Sequence, residues 1–185
     1  MGDALLTINA GSSSIKFALF AVTGRAVAQR LVGGQIEGIG VAPCFVAHDG
    51  AGAEIGRRQW AEGGAATHED VFGELLPWIE RHLGDTRLIA VGHRVVHGGR
   101  TLVAPVLLTP AVVAELEALV PLAPLHQPHS LHAIRALAPV RPDLPQIACF
   151  DTAFHRAQPA LSRRYALPRA LSDAGIERYG FHGLS

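Results

Sequence analysis

The stretch Ile8-Asn9-Ala10-Gly11-Ser12-Ser13-Ser14-Ile15-Lys16-Phe17 limits the fold more than any other. It joins two β-rich runs, Ala4 to Ala10 and Ser14 to Phe20, through a turn of one glycine and three serines, which predicts strand, turn, strand. Further strand-like runs at Val27 to Val32, Gln35 to Ile39 and Phe45 to His48 are separated by glycines, so an antiparallel opening is expected. The pattern then changes. Thr67-His68-Glu69-Asp70 has the form of a helix start, with Thr67 as N-cap and acids in the first turn. Val71, Leu75, Leu76, Ile79 and Leu83 follow at helical spacing, and Gly84 ends the run.

Leu88 to Val91 is a short buried-strand candidate leading into Gly92-His93-Arg94-Val95-Val96-His97-Gly98-Gly99. Pro110 opens a second helix through about Val120, a third spans Ser130 to Leu137, and Gln146 to Phe150 is another buried strand. Strands first, then helices alternating with strands, predict an α/β domain with a mixed sheet. Pro121 to Pro128 is expected to be a functional loop rather than a boundary, since no Gly-Ser spacer accompanies it.

Composition narrows the partners. A chain of 185 residues, 49% apolar, can build one domain with a substantial core. Sixteen basic and sixteen acidic side chains balance, and no basic run is interleaved with aromatics, so nucleic acid is not an expected partner. The start lacks the basic and apolar regions of a signal peptide, and no window offers about 18 uninterrupted apolar residues for a span. A cytoplasmic protein without a membrane partner is expected. Cys44 and Cys149 lie far apart among apolar neighbours, which favours reduced thiols over a disulfide.

Five segments carry chemistry. In the Gly-Ser turn, backbone N–H groups and the hydroxyls of Ser12, Ser13 and Ser14 suit phosphate oxygens, with Asn9 and Lys16 beside them; an ordinary polar hairpin fits as well. Arg94 follows an apolar strand, where α/β sheets bind ligands, and its fork matches a carboxylate or phosphate; a surface salt bridge is the alternative. His126, His129 and His132 have the spacing of a metal site, but Pro128 interrupts it and no carboxylate or thiol joins them, so His126 alone is the better site residue. Asp151, just after an apolar strand, is either a Mg²⁺ ligand or substrate-orienting acid, or a helix N-cap. His182 sits in Tyr179-Gly180-Phe181-His182-Gly183 near the end of the chain.

Taken in order, INAGSSSIKF, VGHRVVHGG, PLAPLHQPHS, CFDTAFH and RYGFHG resemble the successive blocks of the acetate kinase family, from about Ala4 to Ser185. The resemblance implies a ribonuclease-H-like domain of the actin-like ATPase superfamily, and phosphoryl transfer from ATP to acetate or another short carboxylate such as propionate, with Mg²⁺. It places Asn9, Ser12, Ser14 and Lys16 at the transferring phosphate, with Asn9 also facing the metal. Arg94 would hold the substrate carboxylate, Val96 and Leu125 the apolar pocket, His126 and His182 the phosphoryl group, and Asp151 would be the catalytic aspartate.

The chain departs from the family pattern at Gln127, His129, Ser130 and Leu184. Family members are also about twice as long. The resemblance therefore implies that residues 1–185 form the N-terminal acyl- and phosphate-facing domain of a two-domain kinase, without the C-terminal nucleotide-binding domain. The full-length enzyme would be a homodimer; this chain alone would be a monomer and a weakly active or inactive half. A non-catalytic small-anion-binding module or remnant is the alternative.

Overall fold

The computed structural model describes residues 2–24, 26–61 and 66–184; Ser185, at the end of the fifth block, lies outside the described residues. Eight strands form one mixed sheet, among the described residues, in the order β5-β4-β3-β2-β1-β6-β8-β7. Strand β1 (Asp3–Ala10) and β2 (Ser14–Thr23) pair antiparallel, with Asn9 opposite Lys16 and Ala10 opposite Ile15 at the Gly-Ser turn. The antiparallel run continues through β3 (Ala26–Glu37), β4 (Cys44–Asp49) and β5 (Glu54–Gln59). On the other side of β1, β6 (Arg87–Val95) and then β8 (Gln146–Phe150) run parallel to it, and β7 (Val106–Leu107) closes the edge antiparallel. The expected antiparallel opening and mixed sheet are present.

Period-2 alternation builds the first core. Ala4, Leu6 and Ile8 of β1, Ile15, Phe17 and Leu19 of β2, and Phe45 and Ala47 of β4 are all buried. Helix α1 (His68–Leu83) lays Val71, Phe72, Leu75, Leu76, Ile79 and Leu83 onto them, as the spacing predicted. Its start is a capping box: the Thr67 hydroxyl accepts from the Asp70 amide at 3.2 Å, and an Asp70 carboxylate oxygen accepts from the Thr67 amide at 2.8 Å. A second, smaller cluster joins Val95, Ala148 and Phe150 to Leu116 of α2 (Pro110–Ala118) and to Leu131 and Ile134 of α3 (Gln127–Val140). Short helices α4 (Ala153–Arg156) and α5 (Arg169–Asp173) and two 3₁₀ turns, Val120–Leu122 and Ala160–Arg163, complete the described elements.

Three expectations are corrected. The strand runs at Val27 to Val32 and Gln35 to Ile39 are one strand, β3, because Gly33 and Gly34 are paired within it rather than breaking it. Gly34 is needed there: a Cβ would lie 2.5 Å from the Phe17 ring. Strand β5 was not foreseen, since its sequence EIGRRQ shows no alternating apolar face; it is a charged edge of the kind that resists further pairing. Helix α3 starts at Gln127, not Ser130, because Pro128 falls in the first turn, where its missing N–H costs nothing. Among the described residues no helix is long and apolar enough to cross a membrane.

Removing the α1 cap should be measurable: Thr67→Ala is expected to lower unfolding free energy by about 1 kcal/mol in urea titrations, with the slope unchanged.

Candidate functional site

Strands β1, β6 and β8 are parallel, so Asn9, Arg94 and Asp151 come to the same edge of the sheet from three distant parts of the sequence. There Asp151, 1% exposed, faces Arg94 with both oxygens: Nε donates at 3.0 and 3.1 Å and Nη2 at 2.5 Å. The remaining arm, Nη1, donates to Asn9 Oδ1 at 3.2 Å. A carboxylate so deeply buried needs this partner, and its hydrogen bonds raise the Arg94 pKa further while burial opposes them. The surface salt bridge is thus excluded as a description of Arg94: the pair is structural on the Asp151 side and open on the other, since the Arg94 side chain is 29% exposed. Asp151 is not an N-cap either, because Thr152 occupies that position of α4.

Arg94 opens into a cavity of about 330 Å³. Asn9, Ser12 and Ser14 line one part of it, Val96 and Leu125 another, and His126 and His182 also reach it. Asp151 stands behind Arg94 and Lys16 lies on β2, exposed and directly across from Asn9; neither is among the lining residues. His129 and Ser130, on the first turns of α3, line the cavity too and were not expected there. The signal that could have found them is Pro128, read as a helix start. His132 turns away and packs edge-on against His68, with ring centroids 5.0 Å apart. The histidine triplet is therefore split, and among the described residues no group of three or more His, Cys, Asp or Glu is arranged to hold a metal.

Backbone bonds fix each wall. The Gly11 amide donates to the Ser14 carbonyl at 2.8 Å, so it closes the turn instead of facing a ligand, and Ile39 N donates to Ser13 O at 3.0 Å. Gln127, fully buried, grips the His97 peptide from both sides: its Oε1 accepts from His97 N at 3.1 Å and its Nε2 donates to His97 O at 3.0 Å. This clamp fastens the loop carrying Leu125 and His126 to the chain just after Val96. His126 makes no capping bond with its ring. His182 has φ 58°, the left-handed region that a histidine enters at a cost. Gly183 makes that path possible: its amide donates to the Asp151 carbonyl at 3.1 Å, and a Cβ would lie 2.2 Å from that oxygen.

A larger hollow of about 430 Å³ lies between β5 and α1, lined by Arg57, Arg58, Trp60, Trp78 and others. Two of its arginines are already paired, Arg57 with Glu54 and Arg58 with Glu74, and none of the candidate site residues reaches it. The smaller cavity, with a buried ion pair and converging donors, is the candidate site.

A mixed sheet of this order, with a serine-rich turn between its first strands and an arginine at the edge of its parallel strands, defines a domain of the actin-like ATPase class. Residues 4–185 match the Acetokinase family, and the chain belongs to that family. It is 50% identical over 186 residues to an acetate kinase of Rhodopseudomonas palustris, covering all of this chain and 46% of that one. It is 44% identical over 193 residues to an acetate kinase of Methylocella silvestris, covering 47% of it. Among solved structures, a propionate kinase from Francisella tularensis superposes with TM-score 0.83 at 35% identity, over 98% of this chain and 45% of that one. Porphyromonas gingivalis acetate kinase superposes with TM-score 0.77 at 31% identity, over 98% and 45%. The chain spans about half the length of the curated relatives it matches.

Two outcomes follow for stability. Asp151→Asn leaves Arg94 without its counter-charge; because Arg94 is partly solvated, the loss should be about 2 kcal/mol, below the full cost of a broken buried pair, in urea unfolding. His93, almost wholly buried with Nε2–H donating to Gln146 Oε1 at 2.7 Å, has its pKa pushed down to about 4 by burial. The unfolded chain takes up that proton near pH 6.5 and the folded chain does not until about pH 4, so stability should fall between them as pH drops, by up to about 1.4 kcal/mol per pH unit for this group. A His93→Asn variant should show a shallower slope in that window.

Proposed function

We propose that the chain supplies the acyl- and phosphate-facing half of an acetate kinase, which transfers the γ-phosphoryl group of ATP to acetate and yields acetyl phosphate and ADP. The observation that carries this reading is the Arg94 guanidinium, held by Asp151 and Asn9 in the wall of a cavity that also presents Val96, Leu125 and three histidines, His126 and His182 among them. A short carboxylate needs such a place: a fixed cation for its head and a small apolar wall for its tail.

The chemistry asks for little more. Acetate is already an ionised nucleophile, so alignment and charge neutralisation do the work and no strong base is required. Since the Nε and Nη2 edge of Arg94 faces Asp151, a substrate carboxylate meets the guanidinium from its Nη1 side. Asp151 thereby acts through Arg94, as a positioning residue that fixes the plane and the charge of the fork. His126 and His182 donate to the transferring phosphoryl group, and the Ser12 and Ser14 hydroxyls hold its oxygens. Lys16 reaches the same phosphates from across Asn9 on its flexible stem.

Mg²⁺ takes oxygen ligands and keeps several waters. With both oxygens of Asp151 committed to Arg94, the cavity offers serine hydroxyls and the second lone pair of the Asn9 amide oxygen, the first accepting from Arg94 Nη1, a donor set that would fit a cation held chiefly by nucleotide phosphates and water, with Asn9 as protein ligand. When bound, the ion neutralises charge on the phosphate oxygens. In this reading residues 1–185 are one of two domains, and the adenosine site and the homodimer surface belong to a C-terminal domain outside them. The chain alone is then a monomer with little or no turnover. Its free cysteines, Cys44 and Cys149, fit a reducing, cytoplasmic setting. The likeness to a propionate kinase makes propionate the second substrate reading, since one methylene in an apolar pocket discriminates by only about 1–3 kcal/mol.

The test is a chimera in which this chain replaces the matching residues of the Rhodopseudomonas palustris acetate kinase. Acetyl phosphate, trapped as the hydroxamate, is expected to form from ATP, Mg²⁺ and acetate, and Arg94→Ala or Arg94→Lys should cost at least about 10²–10³ in kcat. A folded chimera without turnover would sink the proposal, and binding of acetate or phosphate without turnover would favour an anion-binding module.

A further inference from the structure

We infer that His68, the first residue of α1, is a positioning residue that pins the Gly-Ser turn to α3 and so fixes the phosphate-facing wall of the cavity; this rests on the reading of that cavity given above. Its ring lies under the turn. Nε2–H donates to the Gly11 carbonyl at 3.1 Å, joining residues 57 apart in sequence, and His68 is only 8% exposed. The β1–β2 ladder ends at the Ala10–Ile15 pair, so the Gly11 carbonyl lies beyond it, and the imidazole supplies a donor that the sheet does not. Among the described residues, two bonds that shape the turn are backbone, from Gly11 N and Ile39 N, and this one comes from a side chain.

The other side of the same ring touches α3. His132 packs against it edge-on at 5.0 Å, one helical turn beyond His129 and two residues beyond Ser130, both of which line the cavity. One imidazole therefore contacts the turn that carries Ser12 and Ser14 and the helix that carries His129 and Ser130. Its own base is rigid, because the capping box at Thr67 fixes the backbone where His68 begins. Burial lowers the His68 pKa; the bond to Gly11 opposes this and His132 and His129 add to it, so near neutral pH the ring has a single N–H, which the Gly11 carbonyl requires on Nε2.

The roles of ring and donor can be separated. His68→Phe keeps the aromatic packing against His132 and removes the donor; His68→Gln keeps a donor near Nε2 and removes the ring. The 185-residue chain, labelled with ¹⁵N, is titrated with inorganic phosphate while the amide resonances of Gly11 to Ser14 are followed, and thermal unfolding is recorded for each variant. H68F is expected to shift those four resonances and weaken phosphate binding about tenfold, the effect of losing one hydrogen bond that positions a site. H68Q should bind within about threefold of the parent even if its Tm falls, a separation that a purely packing role would reverse. Unchanged turn resonances and unchanged phosphate affinity in H68F overturn the inference. So does an Nδ1–H tautomer of His68 in the parent chain, read from its ring ¹⁵N shifts, which decides the matter even if H68F does not fold. If the parent binds no phosphate, the reading of the cavity falls, while the turn resonances and the tautomer still decide what His68 does.

Discussion

Everything at the edge of the sheet depends on one ion pair. Arg94 and Asp151 stand at the ends of neighbouring parallel strands, and the buried carboxylate would be costly there without a partner for its oxygens. Once they meet, the rest follows from what each has left to offer. The spare arm of Arg94 holds Asn9 and with it the end of β1, and the Asp151 carbonyl holds Gly183 and so directs His182 into its left-handed turn. Four segments that are remote in sequence thus share one electrostatic anchor. An arginine whose fork is half occupied is also oriented, because the occupied edge dictates which edge a ligand can use.

How much of this was legible depended on the range over which each signal acts. Alternation in β1 and β2 and the 3.6-residue spacing of α1 are local and were read correctly, as was Thr67. Signals that need a neighbour were not. Gly33 and Gly34 look like a break until the Phe17 ring is seen pressing on the second of them. β5 has no alternating apolar face to announce it, because Ile55 is its one apolar side chain packed on the core and most of the others are exposed. Arg94 and Asp151 stood out as chemistry, yet their mutual grip spans 57 residues and leaves no trace in spacing. His129 and Ser130 were obscured by a spacing that suggested metal, and only the early start of α3 turns them into the cavity.

The walls of the cavity are held by groups that do not line it or that face away from it. Gln127 clasps the His97 peptide with its amide, Thr152 accepts from the Gly98 amide at 3.0 Å, and the His97 ring accepts from the Gly99 amide at 2.9 Å. Each satisfies a backbone group that would be costly to leave bare in the interior. Such support holds the short segments that carry Val96, Leu125 and His126 beside Asn9 of β1 and Arg94 of β6, since each is nailed at a peptide close to the residue that lines the cavity.

The cavity also lies on a seam. Asn9 and the serine turn belong to strands packed into the larger core cluster, while Val95, beside Arg94, and Phe150, beside Asp151, belong to the smaller one; β6 and α3 contribute to both. Domains open in cooperative parts, and few buried apolar contacts mark the parts of low local stability. A molecule seated against Asn9 on one side and Arg94 on the other would bridge side chains carried by both clusters, so occupancy would tie the opening of one to that of the other.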